Sequence, residues 1–182
     1  MMEQKQLPFC GDSDMQSLNE RLCTAKKMLE DHGYTNISQS SGLKSGSLRR
    51  TIKIGIYKIP LEISIDNKLN CCYITLQLVK RSDEVYSAPV NVKIAEINSR
   101  HYVGVLVYDK GSVSLRHSFV IGESLDRNEL EHYFNMLYSI AQECVGELQR
   151  LTSGGFTSEE KDEIFNSCNQ FADRQGGNRI GE

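Results

Sequence analysis

The sequence predicts an α+β fold in which a five-stranded, mainly antiparallel sheet is covered by helices. Apolar residues recur at helical spacing over residues 125–151 and again over 13–32. They alternate along strand-like segments between residues 52 and 79, and a glycine-containing turn joins two more such segments within 101–121. The expected order is α-β-β-β-α-β-β-α, followed by a short C-terminal helix.

The longest amphipathic pattern lies in residues 125–151. Asp126 is expected to cap the N–H of Glu129 while the Glu129 side chain reaches back, and Gly154 or Gly155 is expected to end the helix. We expect the apolar stripe to pack on the protein's own sheet, because a coiled-coil seam needs more heptads than the roughly three present. The stripe consists of Leu130, Phe134, Leu137, Ala141, Cys144, Leu148 and Leu151.

The first helix is predicted over residues 13–32, with Gly33 as its stop. Met15 and Met28 widen its apolar face, and methionine surfaces adapt to partners as well as to cores. The predicted domain covers residues 13–152. Residues 1–12 are expected to be disordered, and residues 153–182 are expected to form a linker, a short helix and a flexible tail.

The strand region contains a change of register. Apolar residues fall on even positions up to Ile56 and on odd positions from Ile59. A turn near Tyr57 and Lys58 explains the change better than a bulge within one strand. A third strand is expected over Tyr73–Val79, after a tight turn at Asp66, Asn67 and Lys68, whereas residues 36–39 carry at most a short strand.

A second helix and a hairpin are predicted between the third strand and the long helix. Pro89 suits the first turn of a helix, and Val90, Ile94 and Ile97 form a short apolar stripe. Strands at residues 101–108 and 112–121 are joined by Asp109, Lys110 and Gly111, where the glycine can take positive φ. This hairpin leads directly into the long helix.

Composition and charge disfavour several classes of function. The net charge of −3 divides into +4 over residues 1–122 and −7 over 123–182, which lacks the basic stripe of a nucleic-acid binder. The N-terminus has no signal-like apolar stretch, and no apolar run is long enough to span a bilayer. The six cysteines have no C-x-x-C spacing, which favours reduced thiols and a cytoplasmic protein.

Few residues suggest catalysis. Cys71 or Cys72 with His101 or His117 could supply a nucleophile and a base, but no local motif supports the pairing, and packed cysteines are the preferred reading. No histidine pair has metal-ligand spacing, and no glycine-rich nucleotide motif is present. The acidic run at residues 159–163 is read as a solvated helix start. We therefore predict no catalytic residue, no metal and no cofactor.

Residues 92–151 resemble the bacterial YbjN-like family, and the order of elements resembles the type III secretion chaperone-like fold. The resemblance covers roughly residues 14–151. The features that carry it follow one order: a helix end, a turn, a strand with a basic residue, and the opening of the long helix. They are Ile97–Asn98, Gly111, Arg116, and Leu125 with Leu130.

The resemblance implies a non-catalytic protein-binding module, chaperone-like or regulatory, that binds an unfolded segment, an effector or a toxin. It also implies a homodimer, which we place on Val90, Ile94 and Ile97 with the strand at 101–108, although packing on the protein's own sheet is an equal alternative. The expected client sites are Met15, Met28 and an exposed strand edge.

Two alternatives remain open. An immunity protein would neutralise a toxin partner through the acidic C-terminal region, and its association would be sensitive to salt. A small cysteine-dependent hydrolase or redox enzyme would need an exposed, reactive thiol at Cys71 or Cys72.

Overall fold

The computed structural model describes residues 16–80 and 87–153. They form an α+β fold with an open antiparallel sheet of six strands, in the order β1-β2-β3-β4-β6-β5. The strands are β1 (Ser38–Ser41), β2 (Ser45–Ile54), β3 (Tyr57–Asp66), β4 (Cys71–Val79), β5 (Val105–Asp109) and β6 (Ser112–Val120). The helices are α1 (Leu18–Asp31), α2 (Ser87–Arg100) and α3 (Arg127–Thr152).

The fold class is confirmed, and the predicted strand count is one too low. The additional strand is β1, which pairs with β2 at one edge of the sheet. All four of its residues, Ser-Gln-Ser-Ser, are exposed. An edge strand that buries no side chain carries no alternation of apolar and polar residues, so its sequence resembles that of a loop.

The register change in the sequence marks a turn, as expected. The turn lies at Gly55 and Ile56, two residues before the predicted position, so that Tyr57 and Lys58 belong to β3. Gly55 has φ of 59°, a conformation that glycine adopts without steric cost. Because β2 and β3 use opposite parities, their buried residues still share one face of the sheet.

Helices α1 and α3 cover one face of the sheet, and the hydrophobic core lies between them and the strands. The predicted stripe of α3 is buried, from Leu130 to Leu151. The side chain of Gln149 donates to the carbonyl of Leu78, and the Tyr138 hydroxyl donates to the carbonyl of Lys53 over 3.1 Å. The C-terminal half of α3 therefore runs toward the end of the sheet at which β4 finishes.

The helix ends differ in detail from the expectation. Asp126 caps α3 as predicted, but its side chain accepts from the N–H of Asn128 over 2.8 Å, rather than from Glu129. A capping box does form at α1, where Ser17 and Glu20 bond each other's backbone N–H groups. Helix α3 ends at Thr152 with Ser153 as its C-cap, and the predicted stop at Gly154 or Gly155 lies outside the described residues.

A buried arginine joins α1 to two loops. Arg21 is fully buried, and its guanidinium donates to the side-chain oxygens of Asn67 and Asn70 over 3.0 and 3.1 Å. It also donates to the carbonyls of Gly122 and Glu123 over 3.2 and 3.4 Å. None of these acceptors is a carboxylate, and burial lowers the pKa of Arg21. The side chain holds the β3–β4 turn and the loop before α3 against α1.

Three further predictions fall on residues outside the described ranges. They are the disordered N-terminus at residues 1–12, the contribution of Met15 to the partner surface, and the short helix and tail after residue 153.

Candidate protein-binding surface

No helix of the described residues covers the second face of the sheet. In each strand, the residues that alternate with the core residues point toward this second face. The pairing of neighbouring strands aligns one such residue from each of the six strands in a row across the sheet. This row spans about 24 Å at the usual spacing of strands. It consists of Ser38, Arg49, Glu62, Thr75, Arg116 and Val105, and we call the face that carries it the open face.

A hollow of about 610 Å³ lies over this row. Arg49 pairs with Glu62 through its Nε and Nη2 atoms, at 3.0 and 2.9 Å from one carboxylate oxygen. Arg116 is exposed and makes no ion pair or hydrogen bond with any residue in the described ranges. The hollow is wide and shallow, unlike the concave, mostly apolar pockets that hold small molecules.

One end of the open face is basic. Lys53 and Lys58 are directly opposite each other on β2 and β3, and both are exposed. Like charges in this arrangement repel, since opposed Cβ atoms lie about 5 Å apart. Neither lysine has an acidic partner within 16–80 or 87–153. The sheet thus presents two adjacent cations that the described structure leaves without a counter-charge.

The other end of the open face is more apolar. Val120 is paired with Cys71, and Tyr73 follows two residues along β4 on the same face. Val120 is 73% exposed and Tyr73 36% exposed, while Leu69 in the preceding turn is 58% exposed. Exposed apolar side chains on a sheet face are typical of a surface that contacts another macromolecule.

The edge of the sheet at β5 is closed by a side chain. The Leu106 N–H donates to Oδ1 of Asn98 over 2.8 Å, and Nδ2 of Asn98 donates to the Leu106 carbonyl over 3.0 Å. The alternating ladder directs these Leu106 groups away from β6. Asn98 thereby fills a position that a neighbouring strand would occupy.

The opposite edge, at β1, is open. The N–H of Gly42 donates to the carbonyl of Ser45 over 2.8 Å, so Gly42 is a hydrogen-bonded position of the ladder between β1 and β2. In an antiparallel ladder such positions alternate with positions whose groups point outward, so the N–H and C=O groups of Gln39 and Ser41 point away from β2. These groups have no hydrogen-bond partner in the part of the chain that the structure describes. The β1 edge can therefore accept another strand.

The residues predicted as an interface are buried within the chain. Val90 is fully buried, and Ile94 and Ile97 are 7% and 6% exposed, because the stripe of α2 packs toward β5 and α3. Met28 is also fully buried. These four side chains contribute to the core instead of presenting a contact surface, which corrects the predicted site and agrees with the alternative of packing on the protein's own sheet.

Among the described residues, no hydrogen bond joins a cysteine thiol to a histidine. Cys71 and Cys72 point to opposite faces of β4, as predicted. Burial raises the pKa of the Cys72 thiol to about 12. The buried Nε2 atom of His117 has no hydrogen-bond partner, and His101 lies 3.8 Å from a carboxylate oxygen of Glu143. A thiol with a raised pKa is inert at neutral pH.

Comparison with known proteins identifies structural similarity only. No family model matches the sequence, and no curated protein matches it. The fold is similar to that of YbjN from E. coli, with a TM-score of 0.47 and 12% identity over 69% of this chain and 92% of that one. It is also similar to a chain of the ExsC–ExsE complex, with a TM-score of 0.48 and 12% identity over 72% and 97%. At the level of fold, the predicted resemblance is confirmed.

The described residues contain neither a cluster of metal ligands nor a membrane-spanning helix. Residues 16–80 and 87–153 contain no group of three or more side chains suited to hold a metal ion. No helix among the described residues is long and apolar enough to cross a membrane.

Sequence reasoning missed both the open face and the role of Asn98. The open face could have been found as the polar set that alternates with the apolar positions of β2, β3 and β4. The position of Asn98 was noted only as part of the resemblance, and nothing in its local sequence indicates which strand it bonds.

Proposed function

We propose that this protein is a non-catalytic binding module, chaperone-like or regulatory, that takes up an extended segment of another protein. The observation that carries the proposal is the difference between the two sheet edges. Asn98 closes the β5 edge at Leu106, whereas Gln39 and Ser41 of β1 present unsatisfied backbone groups within the described structure. Strand addition supplies affinity through main-chain hydrogen bonds and makes few demands on sequence.

The composition of β1 disfavours non-specific pairing with other chains at this edge. A long, flat and apolar edge strand would promote aggregation, whereas a four-residue strand of serine and glutamine pairs only when a suitable partner adds contacts elsewhere. The open face adjoins β1 at Ser38 and offers those contacts through the hollow over the central row.

The cysteines support a reducing compartment, and we place the protein in the cytoplasm. Cys23, Cys71, Cys72 and Cys144 are all free thiols. Proteins of oxidising compartments more often pair such residues as disulfides.

The test uses peptides of about ten residues, the upper length of a strand, displayed as a random library and selected on the full chain. The affinity of the selected peptides is then measured by fluorescence anisotropy for wild type and for Gln39→Pro. Proline removes the outward N–H of Gln39 without affecting the ladder to β2. We expect Gln39→Pro to bind about ten-fold more weakly, the effect of one lost hydrogen bond.

The matched control is Gln39→Thr, which changes the same side chain but keeps the N–H. It should bind within about two-fold of wild type, since only the side chain differs. Equal affinities for the proline variant and wild type would exclude strand addition at β1. Selection of no peptide at all would contradict the binding function itself.

We also propose that the protein forms a homodimer, through residues other than Val90, Ile94 and Ile97. Tyr102 is fully exposed and Val105 is 54% exposed, both beside the β5 edge. We place a homodimer contact on these two side chains, because they are apolar and exposed beside the same edge of the sheet. Sedimentation of wild type and Tyr102→Lys/Val105→Lys should show a dimer and a monomer respectively. A monomeric wild type at micromolar concentration would contradict the dimer.

A further inference from the structure

The acidic run that follows α3 and the basic end of the open face have opposite charges and lie within reach of each other. Residues 159–163 have the sequence Glu-Glu-Lys-Asp-Glu. The basic end carries Lys53 and Lys58, without a counter-charge among the described residues. We propose that residues 159–163 of the same chain dock on the basic end of the open face.

The position at which α3 ends brings the acidic run close to this surface. Gln149 bonds the carbonyl of Leu78 at the end of β4, and a Cβ at Gly146 would lie 3.4 Å from the Tyr57 hydroxyl at the start of β3. Lys58 follows Tyr57 directly. The last turn of α3 thus leaves the core at the end of the sheet that carries the two lysines.

The connecting residues are long enough to reach the other face. The six residues between α3 and the run, 153–158, span about 20 Å when extended. Packed layers of secondary structure lie about 10 Å apart, so this length carries the chain around the end of the sheet. The acidic run itself can extend about 13 Å, the four-residue distance along β3 from Lys58 to the row that holds Arg116; Glu62, in the same row, is already paired with Arg49. Arg116 lies in the same row as Glu62, so it can contact the end of the run.

The electrostatic balance favours docking. Lys53 and Lys58 repel each other across the β2–β3 ladder, and an acidic segment between them replaces this repulsion with attraction. Arg116 is a further cation without a partner in the described structure. Exposed ion pairs each contribute modestly to binding. Several pairs together, with the segment tethered to α3, produce a docked state that salt can dissociate.

The test is zero-length cross-linking of the full chain with a carbodiimide, followed by peptide mass spectrometry. This reagent joins a lysine amine to a carboxylate only when the two are in contact. The expected result is a link from Lys53 or Lys58 to a carboxylate of residues 159–163, within the monomer band. Lys26 with Glu30, at 3.9 Å, and Lys93 with Glu147, at 3.0 Å, are positive controls. In about 1 M salt, where the Debye length is about 3 Å, the new link should weaken.

The charge variant Arg116→Glu leaves both lysine amines in place. It should lower the yield of the new link about five-fold, the effect of about 1 kcal/mol of lost attraction. Lys27→Glu makes the same change of sign at an exposed position of α1 and should leave the yield unchanged.

Three outcomes would overturn the proposal. The first is no new link while both positive controls form. The second is a link found only in covalent dimers, which would assign the acidic run to a second copy. The third is an unchanged yield in Arg116→Glu. None of these outcomes depends on strand addition at β1, so this proposal and the binding function can fail separately.

Discussion

The side-chain amide of Asn98 pairs with the backbone of Leu106 in the way that a neighbouring strand would. Leu106 donates its N–H to Oδ1 over 2.8 Å and accepts from Nδ2 over 3.0 Å. One residue of α2 thus satisfies the outward backbone groups of Leu106, the second residue of the edge strand β5. Edge strands with unbonded outward groups pair readily with other chains, and this contact removes that opportunity at Leu106.

Asn98→Asp should destabilise the fold and expose the β5 edge. The carboxylate still accepts from the Leu106 N–H, but it cannot donate to the Leu106 carbonyl, which leaves two acceptors facing each other. We expect the free energy of unfolding in urea to fall by about 1 to 3 kcal/mol. Asn91→Asp, the same change at an exposed position of α2, is the control. Equal losses in the two variants would remove the special role of Asn98.

Arg21 should be sensitive even to a conservative substitution. Its fork of donors reaches four oxygens, on Asn67, Asn70, Gly122 and Glu123. Lysine presents a single ammonium group and cannot bond acceptors on both loops in the same geometry. We expect Arg21→Lys to lower the free energy of unfolding by about 2 to 4 kcal/mol, because buried acceptors lose their donors.

The control for Arg21 is Lys27→Arg, the reverse exchange at an exposed position on the same helix. It should change stability by less than about 0.5 kcal/mol. If the Arg21→Lys variant unfolded at the same urea concentration as wild type, the guanidinium hydrogen bonds would contribute little to holding the two loops.

His117 should make stability depend on pH. Its Nε2 atom is buried without a partner, and its ring lies 4.3 Å from that of Tyr133. Burial lowers the pKa of His117 below its ordinary value of 6.5. The unfolded state therefore binds a proton more readily than the folded state. The stability that the packed, neutral His117 ring contributes is complete above pH 6.5, and it is lost as the pH falls through the pKa of His117 in the folded state.

Urea unfolding between about pH 7.5 and pH 5 measures this dependence. Wild type should lose more stability on acidification than His117→Phe, which cannot take up a proton. His132→Phe, at an exposed position of α3, should retain the wild-type profile. Identical profiles for wild type and His117→Phe would contradict the assignment.

Thiol reactivity distinguishes the packed cysteines from a catalytic one. Burial raises the pKa of both Cys72 and Cys144 to about 12, whereas Cys23 is exposed. In the native protein at neutral pH, Cys23 should react with a maleimide while Cys72 and Cys144 stay unlabelled, and all three should react in urea. Labelling of native Cys72 as fast as Cys23 would favour the cysteine-enzyme alternative.

The sequence predicted those elements that bury side chains. Strands β2 to β4 and helices α1 and α3 carry apolar residues at their own periods, because one face of each lies in the core. Strand β1 buries nothing and carries no such period. The Asp126 cap was predicted correctly, but its partner was not, since the N–H groups of Asn128 and Glu129 both lie within reach of a capping side chain.

The site was less accessible to prediction, because it depends on long-range contacts. The apolar stripe of α2 is visible in the sequence, but only the tertiary structure shows that Ile94 packs inside the chain. The aligned row through Arg49, Glu62 and Arg116 depends on the register of four strands, and α2 and β5 separate β6 from β4 in the sequence. Neither relationship leaves a local pattern.

The most direct test of the binding function is amide hydrogen exchange in β1, followed by NMR. In the free protein, the amides of Gln39 and Ser41 should exchange rapidly because they point away from β2, whereas Ser40, paired with Ser47, should exchange slowly. On saturation with a peptide selected on the full chain, Gln39 and Ser41 should become at least about ten-fold more protected, as expected for a newly bonded strand. Binding of the peptide with no change at these two amides would contradict strand addition at β1.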